Sequence, residues 1–243
     1  MSADNTLCVN NVSFTVKGKS ILKDISLKVC SGDIIGILGP NGAGKTSLFQ
    51  IIAGLIHPNI GTIKHNNHDI TLQPIYHRAQ NGITYLPQDS SIFKGLSVEQ
   101  NILAALESNP TLTPQAHSHG LETLLKDFKL THLRHNPSTT LSGGERRRVE
   151  IARCLALNPE FILLDEPFSG LDPIAIQATL TQIRMLCKRK IGLLITDHNV
   201  SETLKICTQI YILNQGEILT QGSAQHVMQH PDVRQLYLGN HSN

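Results

Sequence analysis

The chain is 243 residues long, enough for one large domain with a buried core, and its 21 basic and 19 acidic residues leave a formal charge of +2. So even a balance supplies no overall field for nucleic acid or anionic lipid, and any partner has to be recognised locally. No run of 18 or so apolar residues could cross a bilayer and the opening MSADNTLC lacks the parts of a signal peptide, so the expectation is a soluble cytoplasmic chain. Cys8, Cys30, Cys154, Cys187 and Cys207 are far apart, with no C-x-x-C, and read as reduced thiols. Among the 12 histidines, His65/His68, His132/His135 and His226/His230 are spaced to share a face. None has Cys or carboxylates at ligand spacing, so they read as solvated surface.

Residues 7–29 alternate: Val12, Phe14 and Val16 share one face, and Ile25, Leu27 and Val29 stand opposite Ser26 and Lys28. That pattern predicts antiparallel strands with one buried face. DIIGILG (33–39), FILLD (161–165) and GLLITD (192–197) are near-continuous apolar runs, as expected of parallel strands covered on both sides. SLFQIIAGL predicts a helix with Leu48, Ile51, Ile52 and Leu55 on one face. About 53 residues separate Gln88 from Leu141; they read as a helical insertion, with ESNPTLTPQAHSHG as a loop and LETLLKDFKL as an amphipathic helix. YILNQGEILTQG (211–222) predicts a hairpin around Asn214-Gln215-Gly216, followed by a polar helical tail.

GPNGAGKTS (39–47) fits G-x-x-x-x-G-K-[ST] and stands between an apolar strand and a helix, the context this motif requires. Gly39, Gly42 and Gly44 permit a tight path past Pro40, which has no N–H, in which successive N–H groups from Asn41 through Ala43 to Thr46-Ser47 point at a β-phosphate. Lys45 reaches the β and γ phosphates, and Thr46 offers a hydroxyl to Mg²⁺. Asp165 closes the FILLD strand where it can hold the same ion, and Glu166 beside it is placed as a general base. A phosphate loop by itself does not separate kinase, GTPase and motor, although the absence of N-K-x-D disfavours guanine recognition.

Four further stretches follow in order: YLPQ (85–88), LSGGE (141–145), SGLD (169–172) and TDH (196–198). With the phosphate loop and FILLDE, they resemble the nucleotide-binding subunits of ABC transporters across essentially the whole chain. The resemblance implies an α/β P-loop fold with a RecA-like core and an N-terminal antiparallel β subdomain (1–88 and 159–240), interrupted by a helical subdomain (89–158). It makes Gln88 the residue that touches Mg²⁺ and the attacking water, His198 the γ-phosphate donor and Asp172 an acid that crosses between subunits. It also makes Ser142, Gly143 and Gly144 the cap on an ATP held by a second copy, so that two chains pair head to tail around two ATP molecules.

Family members usually carry an aromatic residue, stacked on adenine, just before the first hairpin glycine; here VSFTVKG puts Val16 there, and Phe14 is expected in the core. The segments between motifs resemble the branch of the family that powers lipopolysaccharide export, which implies a pair of inner-membrane subunits, indirect membrane association on the cytoplasmic face and no nucleic acid. A branched-chain amino acid importer is the rival reading. A soluble ATPase of translation or DNA repair fits less well, because one phosphate loop and about 53 inserted residues leave no room for its long arm. Arg146, Arg147 and Arg148 cannot all face one duplex, with Val149, Ala152 and Leu155 as the buried stripe. Phe93, after Ile92 and close behind Gln88, either packs in the core or lines a groove for a partner helix.

Overall fold

The computed structural model describes residues 5–109 and 113–238. In chain order its elements are β1 (Thr6–Val16), β2 (Lys19–Cys30), β3 (Ile34–Leu38), α1 (Lys45–Ala53), β4 (Ile60–His65), β5 (His68–Asp69), α2 (Ile75–Gln80), β6 (Ile83–Leu86), α3 (Val98–Glu107), α4 (Pro114–Asp127) and α5 (Gly143–Ala156). They continue with β7 (Phe161–Asp165), α6 (Pro173–Lys188), β8 (Gly192–Thr196), α7 (Val200–Leu204), β9 (Gln209–Asn214), β10 (Glu217–Gly222), α8 (Ala224–Gln229) and α9 (Pro231–Leu238).

The alternating N-terminal strands form an antiparallel sheet in the order β2-β1-β4-β5. Its inward residues Leu7, Val9, Val12, Ile25, Leu27 and Val29 are buried, while Val16 is 42% exposed at the hairpin end, opposite Lys19. The continuous apolar runs form the centre of a second sheet, ordered β10-β9-β3-β8-β7-β6 and parallel except for the β9–β10 hairpin. Alternate side chains face opposite sides and both sides are covered, so the strands stay apolar until their carboxyl ends at Asp165 and Thr196. Phe161 and Leu163 pack towards the first sheet and α1, whereas Ile162 and Leu164 pack towards α3–α6. Each such side chain contributes about 1.5–3 kcal/mol by leaving water.

Several expectations change in three dimensions. Leu55 leaves the apolar face because α1 stops at Ala53, where Gly54 turns left-handed (φ 81°), and Leu55 is exposed. Part of the stretch read as a loop is helical: Thr113 accepts a hydrogen bond from Ala116 N, and Pro114 occupies the first turn of α4, where its missing N–H costs nothing. Residues 110–112 of that stretch, and the terminal GNHSN apart from its preceding helix, lie outside the described residues. Leu155 is only partly buried and Cys154 takes the inward position, because α5 has neighbours on several sides.

His65 is not a surface histidine. It is buried, its Nε2 lies 2.7 Å from Glu160 Oε2, and its ring meets Phe161 edge-on. Among the described residues no group of three or more His, Cys, Asp or Glu side chains is placed to share a metal ion. Of the three arginines, Arg147 turns inward, bonding to Pro87 O and Glu150. All five cysteines are free thiols, and no described helix is long and apolar enough to cross a membrane.

Candidate nucleotide site and family

The parallel sheet brings the ends of β3, β7 and β8 to one edge, so residues distant in sequence meet there. The loop from β3 to α1 reverses tightly through Gly42 (φ 79°) and Gly44 (φ 107°), the latter opening α1. Gly39 has to be glycine for space: a β-carbon there would stand 2.1 Å from Leu213 O. The β9–β10 turn supports the loop from behind, with Gly216 N donating to Ala43 O at 3.1 Å.

No acidic residue occupies the first turn of α1, so its positive end is uncompensated. Pro40, Asn41, Gly42 and Thr46 are exposed and Ser47 is half-buried, whereas Ala43 and Lys45 are buried. Lys45 Nζ donates to Gly39 O at 2.7 Å and Pro40 O at 3.0 Å. Burial pulls its pKa below the ordinary lysine value, against the opposing pull of Glu166 and Asp165.

Across the edge, Asp165 is almost wholly buried. Thr196 Oγ1 donates to its Oδ1 at 2.6 Å and Tyr85 OH to its Oδ2 at 3.0 Å. Burial, and then the Asp165 charge, push the Tyr85 pKa up and keep it a proton donor. Glu166 adopts a left-handed backbone (φ 47°), a conformation rare outside glycine and concentrated at functional sites. Its N–H donates to Thr196 O at 2.8 Å, its Oε1 lies 2.6 Å from His198 Nε2, and its Oε2 is buried with no partner among the described residues. Burial raises the Glu166 pKa; His198 and Lys45 act against that, and Asp165 and Asp197 add to it.

Gln88 is exposed just beyond β6 and lines a cleft of about 260 Å³ with Glu166, Ser169 and Gly143. The structure therefore gathers Lys45, Asp165, Glu166 and His198, with Gln88 at the rim. Val16 is not among the residues lining that cleft, and of the Ser-Gly-Gly turn only Gly143 is. Ser142 caps its own helix reciprocally, accepting from Glu145 N at 3.3 Å while its own N–H donates to Glu145 Oε2 at 2.9 Å. A β-carbon on Gly144 would meet Ala175 at 2.9 Å, so the turn leans on the start of α6. There Asp172 is the N-cap, accepting from Ile174 and Ala175 at 2.9 Å each.

Sequence reading missed Tyr85, Thr196 and Asp197 as parts of the site. Each stands inside a recognised stretch, YLPQ or TDH, but which atoms it touches depends on the β6–β7–β8 register, with Leu164 opposite Leu86 and Asp165 opposite Thr196.

A phosphate loop at the edge of a parallel sheet, facing paired carboxylates and a histidine, defines a P-loop ATPase of the cassette type. The ABC transporter family model matches residues 22–169, and the chain belongs to that family; it is the ATP-hydrolysing subunit of a transporter. A probable ABC transporter ATP-binding protein of Azorhizobium caulinodans is 49% identical over 98% of this chain and 84% of its own length. The protein LptB of Haemophilus influenzae, named as the lipopolysaccharide export system ATP-binding protein, is 47% identical over 96% of this chain and 97% of its own. A solved cassette of an ABC transporter, in its ADP conformation, superposes with a TM-score of 0.86 at 28% identity, covering 97% of this chain and 99% of that one.

Proposed function

We propose that this chain hydrolyses Mg²⁺-bound ATP as one half of a head-to-tail homodimer that drives export of lipopolysaccharide from the inner membrane. The observation that carries the chemistry is Glu166. One carboxylate oxygen is held by His198 and the other is buried with no partner among the described residues, which leaves an acceptor for the proton of an attacking water. Its raised pKa is that of a base moved towards working pH. His198, half-exposed beside it, is free on its outer side to donate to a γ-phosphate. Lys45, with the main-chain N–H groups of residues 41–47, holds the β and γ phosphates.

Thr46, Asp165 and Gln88 would hold the Mg²⁺. They offer only oxygen donors, as a hard divalent cation prefers, and Asp165 is oriented by two hydroxyls with no ion pair among the described residues. When bound, the ion offsets negative charge on the transferring phosphate. Val16 lies where the base would rest and offers it no aromatic face.

The dimer rests on the resemblance of the Ser142-Gly143-Gly144 turn to the γ-phosphate cap of the family. The turn's hydrogen bonds stay within α5 and it leans on α6, and in this reading it caps the phosphate held by residues 39–47 of a second copy, in two-fold symmetry. A helix N-terminus contributes at most about 2 kcal/mol to an anion, or about 30-fold in rate, leaving the larger share to Lys45, Glu166 and the metal. Residues 89–158 form the helical subdomain of this reading, set between core segments 1–88 and 159–240; the mutual packing of α3, α4 and α5 supports it.

Lipopolysaccharide as cargo rests on the likeness to LptB over nearly the whole of both chains. The same likeness suggests partners of the LptF and LptG type, which would hold the chain peripherally on the cytoplasmic face of the inner membrane. Phe93 supports a docking groove: its ring is half-exposed, stacked 4.3 Å from the Arg153 guanidinium, at the mouth of a cavity of about 320 Å³ walled by Ile75, Ala79 and Ala104. An apolar trough of that size suits a short partner helix.

The test is Glu166→Gln. ATP binding should survive, hydrolysis should collapse by about 10²–10⁴-fold, and a dimer should accumulate with ATP on a sizing column. Normal hydrolysis by this variant would remove Glu166 as the base.

A further inference from the structure

We propose that Asp197 is a positioning residue of the hydrolytic site, stapling the loop that carries Glu166 to the loop that carries His198. Asp197 is 4% exposed and its carboxylate joins two chain segments. Phe168 N donates to Oδ2 at 2.8 Å, across 29 residues of sequence, and Asn199 N donates to Oδ1 at 2.7 Å. The Asn199 bond alone would be an ordinary local turn. The Phe168 bond is different, because Pro167 has no N–H and Phe168 therefore supplies the first backbone donor after Glu166.

The β7–β8 ladder ends with Asp165 opposite Thr196, and Glu166 N still reaches Thr196 O. Beyond that point the two strands have no more ladder to hold them. Asp197, the first residue past β8, extends the connection by side chain to Phe168, three residues past the end of β7, across the span where Glu166 and His198 meet at 2.6 Å.

The carboxylate makes no ion pair among the described residues, and burial raises its pKa above the ordinary aspartate range despite the two N–H donors. A buried charge without a cation costs stability. Such a group is kept where it fixes geometry at a reacting centre. Glu166 needs that support, since its left-handed backbone persists only when its surroundings over-determine it.

The proposal rests on Glu166 and His198 acting as assigned above, and its test separates the two. Asp197→Asn keeps the shape but offers one acceptor oxygen for two N–H groups; Asp197→Ala offers none. In the full chain, kcat for ATP should fall about tenfold in the Asn variant and about a hundredfold in the Ala variant, while KM stays within about twofold, as expected when reacting groups are misplaced and phosphate binding is untouched. An unchanged kcat, or a KM that rises in step with a falling melting temperature, overturns the proposal. If Asp197→Asn does not fold, Asp197→Glu, which keeps both oxygens on a longer stem, is measured against the same criteria. Failure of the underlying reading shows elsewhere, as normal hydrolysis by Glu166→Gln.

Discussion

Replacing Arg78 by methionine tests how the phosphate-loop helix is anchored. The Arg78 side chain is wholly buried, and its guanidinium donates to four main-chain carbonyls: Ile51 at 2.7 Å, Ile52 at 2.8 Å, Thr71 at 2.8 Å and Gln73 at 2.9 Å. Ile51 and Ile52 lie in the last turn of α1, where helix carbonyls lack intrahelical partners and a cation is favoured. Gly54 is compelled by the same arrangement, because a β-carbon there would stand 2.8 Å from Arg78 Nε and 2.7 Å from Gln73 O.

Burial lowers the arginine pKa to about 10, so the group stays charged at neutral pH at a cost on the order of 3 kcal/mol. Hydrogen bonds from a charged donor contribute about 1.5–3 kcal/mol each. Four of them outweigh that cost, and allowing for water reaching the freed carbonyls, Arg78→Met should lose about 3–5 kcal/mol. For a domain of this size that lowers the melting temperature by about 10 °C. Thermal and urea unfolding without nucleotide would measure it, with Arg78→Lys intermediate because an ammonium cannot span four acceptors. A loss below about 1 kcal/mol for the Met variant would refute this account of the anchor.

Val16→Tyr should tighten ATP binding by about fivefold or more, since base stacking is worth about 1–3 kcal/mol; equal affinity in a nucleotide titration would mean that the base does not rest at the hairpin end. Glu166→Gln should also alter stability with pH. The folded-state pKa of Glu166 is raised, so the neutral form's advantage is fully present below the unfolded value of about 4.3 and is lost as pH rises through the folded value. The Gln variant escapes that loss, and its gain in melting temperature over the parent should be larger at pH 8 than at pH 4; a gain independent of pH would contradict the sign. Phe93→Ala should lower co-purification with the membrane subunits without changing basal ATP hydrolysis by the isolated chain, and unchanged co-purification would remove Phe93 from the groove.

Much of this molecule could be read from residue order, because its signals are local. The phosphate loop needs glycines, a lysine and a following helix within nine positions, and the buried strands FILLD and GLLITD announce themselves by having no polar face. Ends of elements were less legible: Leu55 continues the helical pattern of α1, yet Gly54 closes the helix first, because Arg78 from another helix fills the space a side chain would need. His65 looked like half of a surface pair until β4 brought it against Glu160 and Phe161. Residue order by itself determined the fold class, the family and the residue types at the phosphate end. Only the tertiary structure decided that Tyr85 and Thr196 orient Asp165, that Asp197 joins the loops of Glu166 and His198, and that the Ser-Gly-Gly turn leans on the start of α6. Those are relations across strands, set by the register of a parallel sheet whose partners lie some 30 to 80 residues apart, and no local pattern encodes which atoms such a register brings together.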